Sequence, residues 1–346
     1  MTIIYFILIL GIVVLIHEFG HFIFAKKAGI YVYEFSIGMG PQLFKFHRKN
    51  DETEYSIRLL PIGGYVQMAG EDMEEEESDI PKEKQMTNKK WYQRFLTIIA
   101  GILFNFLLAI VIFFIVGLVN GVPTDTTTVA EVTKDSAALE AGLQSGDVIE
   151  KINGKTILSS DHLMLLVQVN GKETMDVVVD RDGKEVALEI TPKKVEVDDQ
   201  VTYQYGFSLN NTVVHNFFVA VKYGFTKMFS LLHQMILIIG YLIIGKLSLS
   251  SLAGPVGIYT VVEQSAEAGL MSLVYLVGFL SLNVGFINLL PIPAFDGGRI
   301  LFLIIEKIKG SRVNPKVENT IHAIGFIFLM ILMVLITYND IMRLFF

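Results

Sequence analysis

The sequence predicts a polytopic α-helical membrane protein of four transmembrane helices, with a membrane-associated β-hairpin and one small domain inserted outside the cytoplasm. Three observations carry this expectation. Of 346 residues, 52% are hydrophobic and the mean hydropathy is +0.52, too apolar for an ordinary soluble enzyme. Four apolar runs are separated by polar segments. Lys and Arg gather in two of those segments: eleven lie between the first and second runs, among them Lys26, Lys27, Lys89, Lys90 and Arg94, and five (Arg299, Lys307, Lys309, Arg312, Lys316) between the third and fourth. The positive-inside rule places both segments in the cytoplasm and both termini outside. A net charge of −7 without a sustained basic stripe argues against nucleic acid as a partner. With no cysteine in the chain, any metal must be held by His, Asp or Glu.

The first run, residues 1–25, holds fourteen uncharged residues, IIYFILILGIVVLI (3–16), and closes on HEFGH (17–21). No Lys or Arg precedes it and no small-residue cleavage site follows, so a retained span is expected rather than a signal peptide. Histidines four apart on a helix project from one face about one turn apart. His17 and His21 therefore suit two imidazoles on one zinc ion, with Glu18 close enough to act as a base on water there. The competing reading is a chance pair of helix-surface histidines. The membrane setting weakens it, because an acid at mid-bilayer costs roughly 2.5–3.5 kcal/mol and marks a functional candidate.

The polar loop 26–94 contains two β-rich runs, EFSIGMGPQLFKF and EYSIRLLPIGGYVQM, joined by HRKNDETE. With Gly38, Gly40, Gly63 and Gly64 as bends or close-approach points, residues 34–70 read as a hairpin beside the membrane. EDMEEEESD (71–79) reads as a solvated acidic linker. Residues 95–119 form the second span. In 124–195, short strands (TTVAEV, DVIEKI, TMDVVVD, EVALEIT) flank a helix-like DHLMLLVQV, with a turn at Asp182-Gly183. The stretch SAALEAGLQSGDVIEKINGK resembles the PDZ domains attached to bacterial proteases, which bind extended peptide as an added strand.

Residues 213–262 read as an amphipathic, interfacial region. Its apolar part, 229–245, has seventeen residues broken by His233 and Gln234, with Lys222 and Lys227 nearby; that suits a helix lying on the membrane better than one crossing it. The third span, 270–300, ends in NLLPIPAFDGGRI, where Pro291 and Pro293 break helix hydrogen bonding. Such breaks are tolerated at membrane depth only where the backbone is buried in protein or lines a polar cavity. Residues 319–344 are the fourth span. A catalytic zinc takes three protein ligands and leaves a position for water. Asp296 alone reads equally well as a plain helix cap. If the first and third spans both run inward, however, His17, His21 and Asp296 meet at one depth. His47, His162, His215, His233 and His322 are expected to be dispensable for metal.

HEFGH, NLLPIPAFDGG, the PDZ-like insert and SLAGPVGI (251–258) together resemble the site-2 protease family of intramembrane zinc metalloproteases, in its bacterial regulator-of-sigma-factor branch. The resemblance covers nearly the whole chain. It implies zinc held by His17, His21 and Asp296, Glu18 as catalytic base, and Asn288 as a substrate or transition-state contact. Where the family has AGPxxNF the chain reads AGILFNF (100–106); Ile102 replaces the usual proline, and Asn105 is kept and counted among the substrate contacts. The implied substrates are single-pass membrane proteins, namely anti-sigma factors already trimmed by another protease and leftover signal peptides. The implied place is the bacterial cytoplasmic membrane, with the PDZ-like domain outside and the active site toward the cytoplasmic face. A membrane helix hides its carbonyls in hydrogen bonds, so it must unwind before attack. An edge of the hairpin at Ser36, Ile37, Gly38, Met39 and Gly40 is expected to hold the unwound segment as an added strand. Two other readings are an ion-coupled transporter, which predicts internal repeats that are not seen, and a non-proteolytic PDZ-bearing receptor.

Overall fold

The computed structural model describes residues 1–71, 80–124, 126–197 and 200–345, so the acidic run 71–79, apart from Glu71, lies outside the described residues. In chain order come α1 (Thr2–Ala28), β1 (Val32–His47), β2 (Glu54–Met68) and α2 (Trp91–Asn120). Short elements follow: β3 (Val122–Pro123), β4 (Val129–Val132), α3 (Ala137–Glu140), β5 (Val148–Ile152), β6 (Lys155–Thr156) and α4 (Ser160–Asn170). Next are β7 (Met175–Arg181), β8 (Lys184–Ile190), β9 (Lys193–Val197), β10 (Gln200–Gln204), β11 (Phe207–Leu209) and β12 (Val213–Val214). Five helices complete the chain: α5 (Phe217–Ile243), α6 (Pro255–Glu267), α7 (Leu270–Leu289), α8 (Asp296–Lys309) and α9 (Pro315–Phe345). Two compact units result, Met1–Ile112 with Ser250–Phe346, and Phe113–Leu249.

In the first unit, α1 ends at Gly29, whose φ of 66° closes the helix in the left-handed region that glycine enters without strain. Helices α1 and α2 cross antiparallel at small residues. A Cβ on Gly20 would stand 2.7 Å from the Ala100 carbonyl carbon and 2.9 Å from Gly101 N, so only glycine lets these backbones meet. Ile9 and Val13 of α1 pack with Leu273, Leu276 and Leu280 of α7 and Val262 of α6. The third apolar run, expected as one span over 270–300, is two helices: α7 stops at Leu289 and α8 begins at Asp296. Pro291 and Pro293 supply no N–H donors, which ends the helix between them. Two contacts fasten α8 to the start of α2. The Trp91 indole N–H donates to the Leu303 carbonyl at 2.8 Å, and Arg94 forks onto both Glu306 oxygens at 2.9 and 3.0 Å. At the other end of α9, the buried Asp340 carboxylate accepts the Gly257 N–H of the first turn of α6 at 2.8 Å, capping that helix from another.

Strands β1 and β2 both bend, which changes the expected hairpin. Phe35 and Ile37 pair with Val66 and Gly64 on one side and with Tyr55 and Ile57 on the other, while Phe46 and His47 pair with Tyr55 and Glu54. Residues 34–37 therefore form the centre of the sheet. Of the edge expected at Ser36–Gly40, Ser36 and Ile37 are paired on both flanks, while Met39 pairs on one side only, with Leu60. Among the described residues, no further strand covers 42–47 or 64–68.

The second unit is built on a sheet of order β6-β5-β7-β8, with β4 paired to β11 and β3 to β12. Chain beyond residue 195, the expected limit of the small domain, thus returns to close it. Ile149, Leu163, Leu166, Met175, Val179 and Ile190 form its core. Asp147, buried just before β5, takes two 2.7 Å bonds from Arg181 and one of 2.9 Å from the Gln144 N–H. Burial opposes its charge, yet these donors outweigh burial and hold the carboxyl below the usual range. Helix α5 lies against α4: Lys227 Nζ and Ser230 Oγ each reach Asp161 at 2.7 Å. Tyr241 enters the core with Leu237 and Ile238 beside it.

Among the described residues, five helices are long and apolar enough to cross a membrane: α1, α2, α5, α7 and Lys316–Arg343 of α9, where four spans were expected. Large apolar side chains stand exposed along α1 (Ile4, Leu8, Ile12), α2 (Leu103, Leu107, Val111) and α9 (Phe326, Ile331, Val334). Water would not tolerate such faces and lipid does. The chain is a multi-pass membrane protein.

Candidate active site

HEFGH lies in the last three turns of α1, where helical spacing stacks the two imidazoles edge to face with centroids 4.7 Å apart. Asp296 arrives from the opposite direction as the first residue of α8. The Gly297 and Gly298 that follow let this turn fold back on itself. A Cβ on Gly298 would stand 2.6 Å from the Ile292 carbonyl oxygen, and one on Gly297 would overlap the Leu290 carbonyl. Asp296 Oδ2 ends 3.1 Å from His17 Nε2 and 3.3 Å from His21 Nε2, and the two Nε2 atoms are 3.1 Å apart.

The far side of each ring shows what these atoms offer. His21 Nδ1 lies 2.8 Å from the Thr97 carbonyl, which can only accept, so Nδ1 carries a proton and Nε2 is the ring atom that faces inward. His17 Nδ1 lies 3.3 Å from the amide of Asn105. The atom nearest His17 is Asn105 Nδ2, while Asn105 Oδ1 accepts from Ser281 Oγ at 3.3 Å, so Asn105 backs the His17 ring from behind. Asp296 Oδ2 is buried without a hydrogen-bond partner among the described residues. Two imidazole Nε2 atoms and a carboxylate oxygen thus face one point. Two His and one carboxylate form a donor set that suits zinc and leaves a coordination position open. Among the described residues, His17, His21 and Asp296 are the group placed to hold a metal.

Glu18 is half-buried one residue on from His17. Asn288, half-buried, donates to the Val284 carbonyl of its own helix at 3.0 Å. Asn105, expected among the substrate contacts, is fully buried behind His17, and Ser281 Oγ donates to its backbone carbonyl at 3.0 Å. Of the hairpin residues, Ser36 is buried with its hydroxyl on the Gly38 carbonyl at 3.0 Å, while Ile37 and Met39 stand exposed and Gly38 and Gly40 have positive φ. His47 lies near Glu54, and His162 meets His233 edge to face, each apart from the metal group. Sequence reasoning missed Thr97, Ser281 and Gly101. A Cβ on Gly101 would overlap His21 Nε2 and stand 2.9 Å from His17 Cε1, so a bare backbone there gives both rings their room.

The family model of peptidase family M50 matches residues 5–332. The chain is 36% identical to the zinc metalloprotease RasP of Bacillus licheniformis and 35% identical to the regulator of sigma-W protease RasP of Bacillus subtilis, over 99% of both chains in each case. It is 37% identical to the probable protease eep of Enterococcus faecalis over the full length of both. The chain belongs to peptidase family M50, the site-2 proteases. It is an intramembrane metalloprotease whose metal is zinc.

Proposed function

We propose that the chain cleaves peptide bonds inside the membrane helices of single-pass proteins whose outer part has already been removed, as in regulated intramembrane proteolysis. The observation that carries this reading is the convergence of His17, His21 and Asp296 beside Glu18, with both histidines on a helix apolar enough to cross a bilayer and Asp296 shortly past the end of another. A site so placed is within reach of a membrane helix. The similarity to a regulator of sigma-W protease supports anti-sigma factors as substrates, with signal-peptide remnants as a second class.

Helix directions support four spans with both termini outside. Contacts of Gly20 with Ala100, His21 with Thr97 and His17 with Asn105 run antiparallel between α1 and α2. The first halves of α1 and α7 share a cluster and their far ends share the metal group, so these two helices run the same way. An even number of crossings must then separate α2 from α7. Helix α6, thirteen residues or about 20 Å, is too short to add one, so α5 cannot add one alone. Burial of one face of α5 in the core of the second unit agrees. We read that unit as a PDZ-like domain outside the cytoplasm, gating substrates by size.

Zinc, when bound, polarises the scissile carbonyl and lowers the pKa of water beside it. Glu18 takes the proton of the attacking water as its oxygen joins the carbonyl carbon, and gives that proton to the amine nitrogen as the C–N bond breaks. Thr97 and Asn105 fix the orientation of His21 and His17. Asn288, at the end of α7, steadies the substrate or its developing charge. The unwound substrate lies as a strand along 64–68 or 42–47, which photo-crosslinkers at Gln67 and Phe44 distinguish.

The test uses a model substrate with and without its outer domain. Wild type should cleave the trimmed form and spare the intact one, and Glu18→Gln should keep its zinc and cleave neither. Cleavage by Glu18→Gln at the wild-type rate would remove the base and the mechanism with it.

A further inference from the structure

The loop that delivers Asp296, residues 290–295, is poorly held by its own backbone. Two of its six residues are prolines, and Ala294 sits at φ 81°, a left-handed conformation that alanine does not favour. Its internal bonds are short-range: Ile292 N–H to the Leu290 carbonyl at 2.7 Å and Phe295 N–H to the Ile292 carbonyl at 3.3 Å. The position of Asp296 needs a constraint from elsewhere.

Helix α9 supplies it at two points about one turn apart. The Ala294 N–H donates to His322 Nδ1 at 2.9 Å. Three residues along, Gly325 leaves the notch in which Pro293 sits, since a Cβ there would stand 2.8 Å from the Pro293 carbonyl oxygen and 2.9 Å from its carbonyl carbon. Accepting at Nδ1 requires the neutral ring with its proton on Nε2. That Nε2 is buried without a hydrogen-bond partner among the described residues, a cost that a merely space-filling residue would avoid. The ring is steadied by Phe302 of α8, with centroids 5.6 Å apart. His322 was expected to be dispensable for metal, and the geometry is that of a clamp on the loop before Asp296.

We propose that His322 is a positioning residue for the metal centre: its Nδ1 pins the backbone two residues before Asp296 and so sets where the carboxylate meets His17 and His21. The proposal rests on the assignment of Asp296 as a ligand.

Two substitutions in the full chain separate the hydrogen bond from packing. His322→Phe keeps an aromatic ring against Phe302 and removes the acceptor. His322→Asn gives up the ring and keeps an acceptor at the δ position. Zinc affinity, measured by chelator competition, should fall about 10–100-fold in His322→Phe, the usual cost of losing a group behind a metal ligand, and His322→Asn should stay near wild type. Wild-type affinity in His322→Phe would overturn the proposal, as would an equal loss in both variants, which would assign the effect to packing. A wild type that binds no zinc would overturn the metal-site reading itself and this proposal with it, a result distinct from the other two.

Discussion

Asp296 differs from the two histidines in bringing negative charge to the site, and its buried Oδ2 faces both of their Nε2 atoms. Asp296→Asn keeps the shape and removes the charge. It should lower zinc affinity by more than the about 10–100-fold typical of residues behind the ligands, and it should abolish cleavage. Zinc content after dialysis against chelator, followed by peptide cleavage, checks both, and full zinc with normal cleavage would take Asp296 out of the site. At this scale much was legible. HEFGH suggests its chemistry through its spacing together with its apolar setting, and the rule of three ligands directs attention to Asp296. Asn105 was not legible in the same way. A polar residue inside an apolar run announces a role, but whether it faces substrate or the back of His17 depends on how far α2 is displaced along α1.

That displacement is a property of the elements. Gly101 lies under both imidazoles at the α1–α2 crossing, and Gly20 faces the same point from the other helix. Gly101→Ala should therefore push His17 and His21 apart and weaken zinc binding by about 10–100-fold while leaving the helices formed. Gly240→Ala in α5, where a Cβ meets nothing within 4 Å, is the matched control. Equal zinc affinity in the two variants would show that the crossing tolerates a methyl group and that the rings have room elsewhere. No periodicity in AGILFNF reveals this, because a run apolar on all sides does not say which face meets a neighbour. The hairpin itself was legible, and only the order within it was not, for a related reason. Its strands were legible from composition, but their order depends on bends near Gly38–Gly40 and Pro61–Gly63 that bring 54–57 and 64–68 to opposite sides of 34–37. The short strands β11 and β12, of three and two residues, carry no pattern from which their return to the second unit could be read.

For the whole molecule, the metal site and the membrane topology stand or fall together. Apolar length alone offers five spans, and an odd number of crossings between α2 and α7 would put Asp296 on the face opposite His17. The charge asymmetry of the loops was legible in the sequence and gives four. The shared direction of α1 and α7 supports the same number from packing. The chain has no cysteine, so single cysteines report without background. Ser208 in β11 and Ala268, just before α7, are both exposed, and they flank α5. Labelled in intact cells with a membrane-impermeant thiol reagent, Ser208→Cys and Ala268→Cys should both react from outside. Labelling of Ala268→Cys only after the cytoplasmic face is opened would contradict the topology, and with it the meeting of His17, His21 and Asp296 around one zinc ion.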